Sequence, residues 1–139
     1  MKRSFDVGAN EGQSALEFRR WFPDAYLFSF EPHESTFVKL AQRAENDQRW
    51  NAENLAFGAT PGEAVFHENA VSGANSILAT DPESDVLFEN NPHRTQAITH
   101  VTVDRLSAYC DRHSIDHIDL LNIDTQGFDL EVLKGCGAF

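Results

Sequence analysis

The segment Ser4-Phe5-Asp6-Val7-Gly8-Ala9-Asn10-Glu11-Gly12 decides the fold of this 139-residue chain. A short strand, predicted over residues 3–7, leads directly into a turn that contains Gly8 and Gly12, and a helix over residues 12–22 follows. Glycine allows the backbone to approach a ligand without an intervening Cβ atom. The free N–H groups of a helix N-terminus point at the same place. The segment therefore predicts a strand–turn–helix unit that binds a nucleotide-type cofactor.

The spacing of the glycines distinguishes between cofactors. The turn reads G-x-N-x-G, with Asn10 between the glycines, and differs from the G-x-G-x-x-G of dinucleotide-binding dehydrogenases. Asp6 at the strand end would repel a pyrophosphate but attract a cation or accept hydrogen bonds from hydroxyls. We therefore expect Asp6, Gly8, Asn10 and Gly12 to bind S-adenosylmethionine, which carries a positive sulfonium, rather than NAD. The alternative is an ordinary glycine-containing turn.

A second acidic position follows the next predicted strand. Residues 25–30 form an apolar, aromatic run that ends at Glu31-Pro32, and Glu31 lies 19 residues after Gly12. That offset is close to the ~20 residues at which an acidic side chain meets the ribose in βαβ nucleotide sites. A carboxylate can accept hydrogen bonds from both ribose hydroxyls, and Pro32 ends the strand. The alternative is a solvated glutamate that caps the helix starting near Glu34.

Composition excludes several classes of function. Eleven Lys and Arg against 22 Asp and Glu give a net charge of −11, and we expect no binding to nucleic acid or to anionic membranes. Cys110 and Cys136 are too few and too far apart for a zinc or disulfide framework, which favours a reduced, cytoplasmic protein. The six histidines include no H-E-x-x-H motif, so no metal is expected. No apolar run reaches the length of a membrane span.

Strands and helices alternate along the chain. After the second strand, the predicted elements are a helix over 34–45, strands over 54–58, 63–68 and 100–103, a helix over 104–113, a strand over 118–123, and a helix ending at Leu133. The strands 54–58 and 63–68 are predicted to form a hairpin, and residues 71–95 a long, partly mobile segment. Asp104 is predicted to N-cap its helix. The inner face of that helix would carry Leu106, Tyr109, Cys110 and His113.

This alternation predicts an α/β fold with a parallel sheet and right-handed crossovers, formed by a single domain over residues 1–139. Ligands of such sheets bind beyond the carboxyl ends of the strands. Asp6, Glu31 and Asp124 all follow or end predicted strands. We therefore expect these three carboxylates to converge on one crevice.

Four blocks of sequence together resemble the FkbM-type methyltransferases. The blocks are Phe5–Gly12, Phe30-Glu31-Pro32, Val103-Asp104-x-Leu106 and Ile118–Gly135. The resemblance covers nearly the whole chain and implies an S-adenosylmethionine-dependent enzyme that methylates a hydroxyl group on a sugar or another small molecule. It also implies a Rossmann-like class I fold, a three-layer sandwich. Catalytically silent cofactor binding or self-association is the alternative, and a nicotinamide-dependent oxidoreductase is a weaker one.

The resemblance also implies roles for individual residues. The Asp6–Gly12 turn would lie along the methionine part of the cofactor, Glu31 and Pro32 would hold its ribose, and Asn54–Ala56 would lie near the adenine. The segment Asn75-Ser76 would lie near the active site, with Ser76 contacting the substrate.

The last block supplies the candidates for chemistry. Methyl transfer to oxygen requires a positioned hydroxyl and favours a nearby base, and Asp124 is the best-placed residue for a base or substrate anchor. Gln126 and Asp129 are second choices for contacts with substrate hydroxyls. Alternatively, Asp124 caps the following helix, and Asp129 is a first-turn carboxylate favoured by the helix dipole.

The chain departs from the family pattern in three ways. Asn122 stands where the family usually has Lys, and Asp129 where it usually has Glu. The chain also matches only part of the family's seven-stranded sheet of order 3-2-1-4-5-7-6, namely the 3-2-1-4 half plus a hairpin. We therefore expect an incomplete sheet whose fourth strand is an edge, which a homodimer would cover.

Overall fold

This computed structural model describes residues 2–69, 76–78 and 95–137. These residues contain seven strands and four helices. In chain order they are β1 (Arg3–Val7), α1 (Gln13–Trp21), β2 (Tyr26–Phe30), α2 (Glu34–Ala44), β3 (Trp50–Glu53), β4 (Ala56–Phe57), β5 (Gly62–Asn69), β6 (Thr95–Asp104), α3 (Leu106–Arg112), β7 (Leu120–Ile123) and α4 (Asp129–Lys134). Among the described helices, none combines the length and apolarity needed to cross a membrane.

Four of these strands form a parallel sheet of order β3-β2-β1-β7. β1 lies between β2 and β7, with Val7 opposite Phe30 on one side and Ile123 on the other. This is the predicted 3-2-1-4 arrangement, and the α/β fold class is confirmed. Because the three strand ends are in register, the loops that follow them emerge side by side at one edge.

Helices cover both faces of this sheet, which gives the predicted three layers. On one face, Ala15 and Phe18 of α1 and Leu40 of α2 pack with Leu27 and Trp50. On the other, Leu106, Tyr109 and Val132 from α3 and α4 pack with Phe5 and Phe30. The strands alternate between these cores because successive side chains point to opposite faces.

The third strand was predicted over residues 54–58, about one strand length too late in the chain. The strand that pairs with β2 is β3, over Trp50–Glu53, with Leu27 opposite Trp50. Trp50 is buried, and its indole Nε1–H donates to Ser29 Oγ at 2.9 Å. This buried contact fixes which residues of β3 lie opposite β2. The strand therefore starts four residues earlier than the sequence pattern indicated.

The predicted hairpin between residues 54–58 and 63–68 was also wrong. β4, β5 and β6 form a second sheet of order β4-β6-β5, in which β6 separates the other two. β5 pairs antiparallel with β6, and β4 pairs parallel with it. β6 is accordingly ten residues long, rather than the short strand predicted over residues 100–103.

Two predictions for α3 need correction. The helix begins at Leu106 after Arg105, with no side-chain cap, whereas Asp104 Oδ1 accepts the neighbouring Arg105 N–H at 2.8 Å. His113 is exposed and lies against the Tyr109 ring, 4.2 Å between centroids, instead of facing the core. The predictions for Leu106, Tyr109 and Cys110 were correct, since all three are buried.

The prediction of a long, mobile segment over residues 71–95 falls largely outside the described residues. Within it, the structure describes residues 76–78 and the start of β6 at Thr95. Ser76 forms an isolated antiparallel bridge with His67 of β5.

Candidate functional site

A crevice opens at the carboxyl ends of β1, β2 and β7, on the side where the second sheet approaches. Its cavity volume is about 230 Å³, slightly below the ~300–1,000 Å³ typical of small-molecule sites. Its polar lining consists of Asn10, Gln13, Ser14, Glu31, Asp124, Thr125 and Gln126. Its apolar lining consists of Val7, Ala9, Pro32, Leu55, Ala56, Phe57, Phe66, Ile77 and Phe128, together with Gly8.

The structure brings seven of the sequence-predicted site residues to this lining. They are Gly8, Asn10, Glu31, Pro32, Ala56, Asp124 and Gln126. Five others lie behind it, namely Asp6, Gly12, Asn54, Ser76 and Asp129. Four of these side chains face other parts of the protein. At Gly12, the space that a side chain would occupy also faces the protein.

The two glycines of the turn make room for protein atoms rather than for a ligand. Gly8 has φ +81°, and a Cβ there would lie 2.1 Å from the Asp124 carbonyl oxygen. Gly12 has φ +89°, and a Cβ there would lie 2.9 Å from atoms of both Leu40 and Trp50. The expectation that both glycines admit a cofactor is corrected accordingly, although Gly8 also borders the crevice.

Glu31 joins the turns that follow β1 and β2. One carboxylate oxygen accepts the Asn10 N–H and the other accepts the His33 N–H, each at 2.9 Å. Glu31 is buried, and burial raises its pKa, opposed by these two N–H bonds. It is therefore not the solvated helix cap of the alternative interpretation, but a buried acceptor that holds both turns at the crevice wall.

Asn54 supports this wall from behind. Its side-chain Nδ2 donates to the Glu31 carbonyl at 2.9 Å and to the Pro32 carbonyl at 2.8 Å. Asn54 was predicted to contact a ligand. Its side-chain amide N–H groups instead donate to backbone carbonyls inside the protein. Leu55 and Phe57 line the crevice beside Ala56.

Asp6 is the most deeply buried acid of the site. It is 2 % exposed, and Asn122 Nδ2 donates to its Oδ1 at 2.8 Å. Among the described residues, its Oδ2 has no hydrogen-bond partner. Burial raises the pKa of Asp6 to about 6; the Asn122 hydrogen bond lowers it and the negative charge of Asp124 raises it further.

Replacing Asp6 with Asn is expected to stabilise the unliganded protein at neutral pH. Because the pKa is near 3.8 in the unfolded chain and about 6 in the folded one, the folded state binds more protons between these values, and stability falls as pH rises through that window. The ionised side chain therefore costs about 3 kcal/mol at pH 7. Urea unfolding of Asp6→Asn should show a gain of ~1–3 kcal/mol over wild type at pH 7.5 and little gain at pH 4. An equal gain at both pH values would contradict this assignment.

The loop after β7 places Asp124 at the mouth of the crevice. Gln126, at φ +54°, directs its Nε2 to Asp124 Oδ1 at 2.9 Å. Asp124 does not cap the next helix, since α4 begins after Phe128 with no side-chain cap. Its side chain is exposed and borders the crevice, so its second oxygen is available to a ligand.

Two side chains fix this loop from outside the crevice. Asp129 Oδ1 accepts the Thr125 N–H at 2.8 Å and also the Thr125 hydroxyl. Ser76 is buried, and its Oγ lies 2.9 Å from the Gln126 carbonyl and 3.2 Å from the Thr125 carbonyl. Both residues were expected to contact substrate; neither lines the crevice, these contacts position the loop, and the substrate contact stays a prediction. Asn75 lies outside the described residues.

Sequence reasoning missed much of the apolar wall. Phe66 of β5, Ile77 and Phe128 line the crevice. Phe128 directly follows the predicted Asp124–Gly127 loop, so its position along the chain was a usable signal. Phe66 and Ile77 reach the crevice through the pairing of β5 with Ser76, which no local pattern indicates.

The charges of the crevice have one sign. Its lining contains the acids Glu31 and Asp124, and among the described lining residues there is no Lys, Arg or His. Asp6 lies beneath them, and its negative charge raises the pKa of Glu31 just as that of Asp124 raises the pKa of Asp6. The site therefore favours a cationic ligand and disfavours a pyrophosphate.

Known proteins similar to this chain are methyltransferases. It is 26% identical over 136 residues to the 2-O-methyltransferase NoeI of Sinorhizobium fredii (strain NBRC 101917 / NGR234), covering 94% of this chain and 55% of that protein. It is 25% identical over 140 residues to Methyltransferase 1 of Beauveria bassiana (strain ARSEF 2860), covering 94% of this chain and 56% of that protein. The chain thus spans about half the length of these curated relatives.

A family model described as the methyltransferase FkbM domain matches residues 6–139. That match includes the crevice-lining loops after β1, β2 and β7 and nearly all of the described fold. The chain therefore belongs to the FkbM methyltransferase family.

Proposed function

We propose that this chain binds S-adenosylmethionine in the crevice and transfers its methyl group to a hydroxyl of a sugar or another small molecule. The observation that carries the proposal is the convergence of three carboxylates, Asp6, Glu31 and Asp124, where the described lining offers no cationic side chain. A sulfonium suits this electrostatic environment, whereas the pyrophosphate of a nicotinamide cofactor does not.

Unsatisfied acceptors support the fit of a cofactor that carries hydrogen-bond donors. Asp6 Oδ2 and Asn10 Oδ1 are buried and lack a partner among the described residues. A buried acceptor without a donor costs ~1–3 kcal/mol. We propose that the turn lies along the methionine end of the cofactor through Gly8, Ala9 and Asn10, which border the crevice, and that an ammonium group there offers such donors.

Glu31 is proposed to hold the ribose. Each of its oxygens accepts one backbone N–H and keeps a second lone pair for a hydroxyl. Pro32, Leu55, Ala56 and Phe57 would then flank the adenine, as they continue the same wall. Bound there, the cofactor supplies a methyl group activated by the positive charge on sulfur.

Asp124 is proposed as the catalytic base. Its Oδ1 is held by Gln126, which leaves Oδ2 free to accept the proton of the acceptor hydroxyl. The acceptor oxygen would take the methyl group that the cofactor supplies, and Asp124 would take the proton of that hydroxyl. NoeI is named a 2-O-methyltransferase, which favours a hydroxyl oxygen as the methyl acceptor.

We also propose that a second copy of the chain covers the edge of the sheet. Within the described sheet β7 borders only β1, and the nearby α4 exposes Leu130 and Leu133 by 62% and 53%. Light scattering coupled to gel filtration should then show a dimer at micromolar concentration.

The two cysteines are free thiols, which fits the reducing conditions of the cytoplasm.

Calorimetric titration with S-adenosylmethionine, S-adenosylhomocysteine and NAD tests the cofactor proposal. We expect binding of the first two and none of NAD. Asp124→Lys reverses the charge at the mouth of the crevice, where the side chain is exposed, and should weaken S-adenosylmethionine binding by about tenfold or more.

Asp111→Lys is the matched control, because it makes the same charge change on exposed α3, outside the crevice lining. It should leave binding unchanged. Binding of NAD alone would overturn the proposal in favour of an oxidoreductase. Cofactor binding without release of S-adenosylhomocysteine, across a panel of hydroxylated acceptors, would favour a catalytically silent module.

A further inference from the structure

Residues Ser76–Leu78 form a short strap between the second sheet and the loop after β7. The backbone of Ser76 is bonded to that of His67 in β5 in both directions, with N···O distances of 2.7 and 3.1 Å. Ile77 lines the crevice and packs with the hydrophobic cluster that includes Phe66 of β5. The strap is therefore anchored to the second sheet and forms part of the crevice wall.

The Ser76 hydroxyl connects this strap to the loop after β7. Ser76 is 4 % exposed, and its Oγ lies 2.9 Å from the Gln126 carbonyl oxygen and 3.2 Å from that of Thr125. The same oxygen accepts the Leu78 N–H at 3.0 Å, so the hydroxyl is used as donor and as acceptor. The Leu78 side chain also covers Gly127, where a Cβ would lie 3.1 Å from Leu78 Cδ1. The strap thus contacts three consecutive residues of the loop.

Gln126 depends on support from outside the loop. Its φ of +54° lies in the left-handed region, which a residue other than glycine keeps only where its surroundings fix it. In this conformation its Nε2 donates to Asp124 Oδ1 at 2.9 Å. Asp129 holds the preceding residue, Thr125, through that residue's N–H and hydroxyl. Among the described side chains, Ser76 is the one that reaches the backbone of Gln126.

We propose that Ser76 is a positioning residue for methyl transfer. Through Gln126 it holds Asp124 at the mouth of the crevice, and the strap makes this position depend on the second sheet. The inference rests on the proposed function, in which Asp124 accepts the proton of the acceptor hydroxyl. Ser76 itself does not line the crevice, so its removal should displace Asp124 and leave the remaining cofactor contacts in place.

Calorimetry with two cofactor analogues tests this inference without an acceptor or turnover. In sinefungin, a carbon that bears an ammonium group replaces the sulfonium and its methyl group, whereas S-adenosylhomocysteine is neutral at that position. A base placed for the acceptor proton lies beside this ammonium. Wild type should therefore bind sinefungin about tenfold more tightly than S-adenosylhomocysteine, and Asp124→Asn should lose most of this preference.

Substitutions of Ser76 separate positioning from a purely structural role. Ser76→Ala should lose most of the preference for sinefungin while its Kd for S-adenosylhomocysteine stays close to that of wild type. A purely structural role would weaken the binding of both analogues by the same factor. Ser76→Thr retains the hydroxyl and should retain the preference. Ser76→Cys fills the buried space with a weak donor, so it should show a reduced preference and serves if the alanine variant does not fold.

Ser107→Ala is the matched control, because it removes a hydroxyl from α3, outside the crevice lining. It should bind both analogues as wild type does. Circular dichroism verifies that each variant is folded.

The outcomes distinguish this inference from the proposed function. If neither analogue binds to wild type, the cofactor assignment fails, and the inference fails with it. If wild type binds both equally, the role of Asp124 as the base fails. If the preference is lost in Asp124→Asn but persists in Ser76→Ala, the proposed function stands and the positioning role of Ser76 is overturned. Equal weakening of both analogues in Ser76→Ala would also overturn it.

Discussion

Gly8→Ala is expected to destabilise the protein by at least ~3 kcal/mol, a large fraction of the ~5–15 kcal/mol by which native proteins are stable. The backbone at Gly8 has φ +81°, which strains any residue with a Cβ, and that Cβ would lie 2.1 Å from the Asp124 carbonyl oxygen. The contact is with backbone, so no rotamer change relieves it. The Gly8 and Ala9 N–H groups also both donate to the Phe30 carbonyl at 3.0 Å, so the turn is held on the other side as well.

Gly127→Ala is the matched control for this prediction. Gly127 has a similar φ of +97°, but a Cβ there would meet only the flexible Leu78 side chain, at 3.1 Å. Gly127→Ala should therefore destabilise the protein only by the backbone strain energy, about 1–2 kcal/mol. Urea unfolding of both variants at pH 7 measures the difference. Equal losses would show that the approach of the Asp124 loop to Gly8 does not limit substitution. We also expect Gly8→Ala to lose cofactor binding, because the displaced loop carries Asp124.

Glu31→Ala is expected to combine a loss of stability with a loss of cofactor binding. Truncation leaves the Asn10 and His33 N–H groups without the acceptors that now lie 2.9 Å away. Each stranded buried donor costs ~1–3 kcal/mol, so a total loss of about 2–6 kcal/mol is expected for the two. Binding of S-adenosylhomocysteine should weaken by about 100-fold or more, since the proposed ribose contacts are hydrogen bonds to a charged group.

Glu31→Gln separates the two effects. Its single carbonyl oxygen can replace one of the two acceptors, so it should lose roughly half as much stability while retaining little cofactor binding. Glu34→Ala, an exposed glutamate in the first turn of α2, controls for loss of a negative charge and should cost no more than ~1 kcal/mol. An unfolding midpoint of Glu31→Ala equal to that of wild type would contradict the proposed joining role of Glu31.

The sequence predicted the parallel sheet because its signals are local. Apolar strands, glycine turns and helical periodicity each lie within about a dozen residues and predicted the α/β class, whereas the order found, β3-β2-β1-β7, was implied by the family resemblance. The same signals led to the loops after β1, β2 and β7, where Asn10, Glu31 and Asp124 line the crevice. Strand ends in register must meet at one edge, so their convergence followed from the order alone.

Pairings between distant segments could not be predicted in this way. β6 pairs with β5 and β4, and Trp50 with Ser29, because of contacts across the fold rather than patterns along the chain. Because no local pattern reveals such contacts, the sequence analysis placed the third strand wrongly and predicted a hairpin that does not form. They also brought Phe66 and Ile77 to the crevice without any signal in their own neighbourhood.

The chain by itself determined which residue types gather at the carboxyl edge of the sheet, since alternation and turn chemistry are properties of short segments. Only the tertiary structure decided what each side chain does there. Asn54, Ser76 and Asp129 are polar residues in the right loops, yet their hydrogen bonds are directed to backbone groups behind the crevice. A polar side chain bonds to whatever partner the packed fold brings within about 3 Å, and that partner is set by the whole chain.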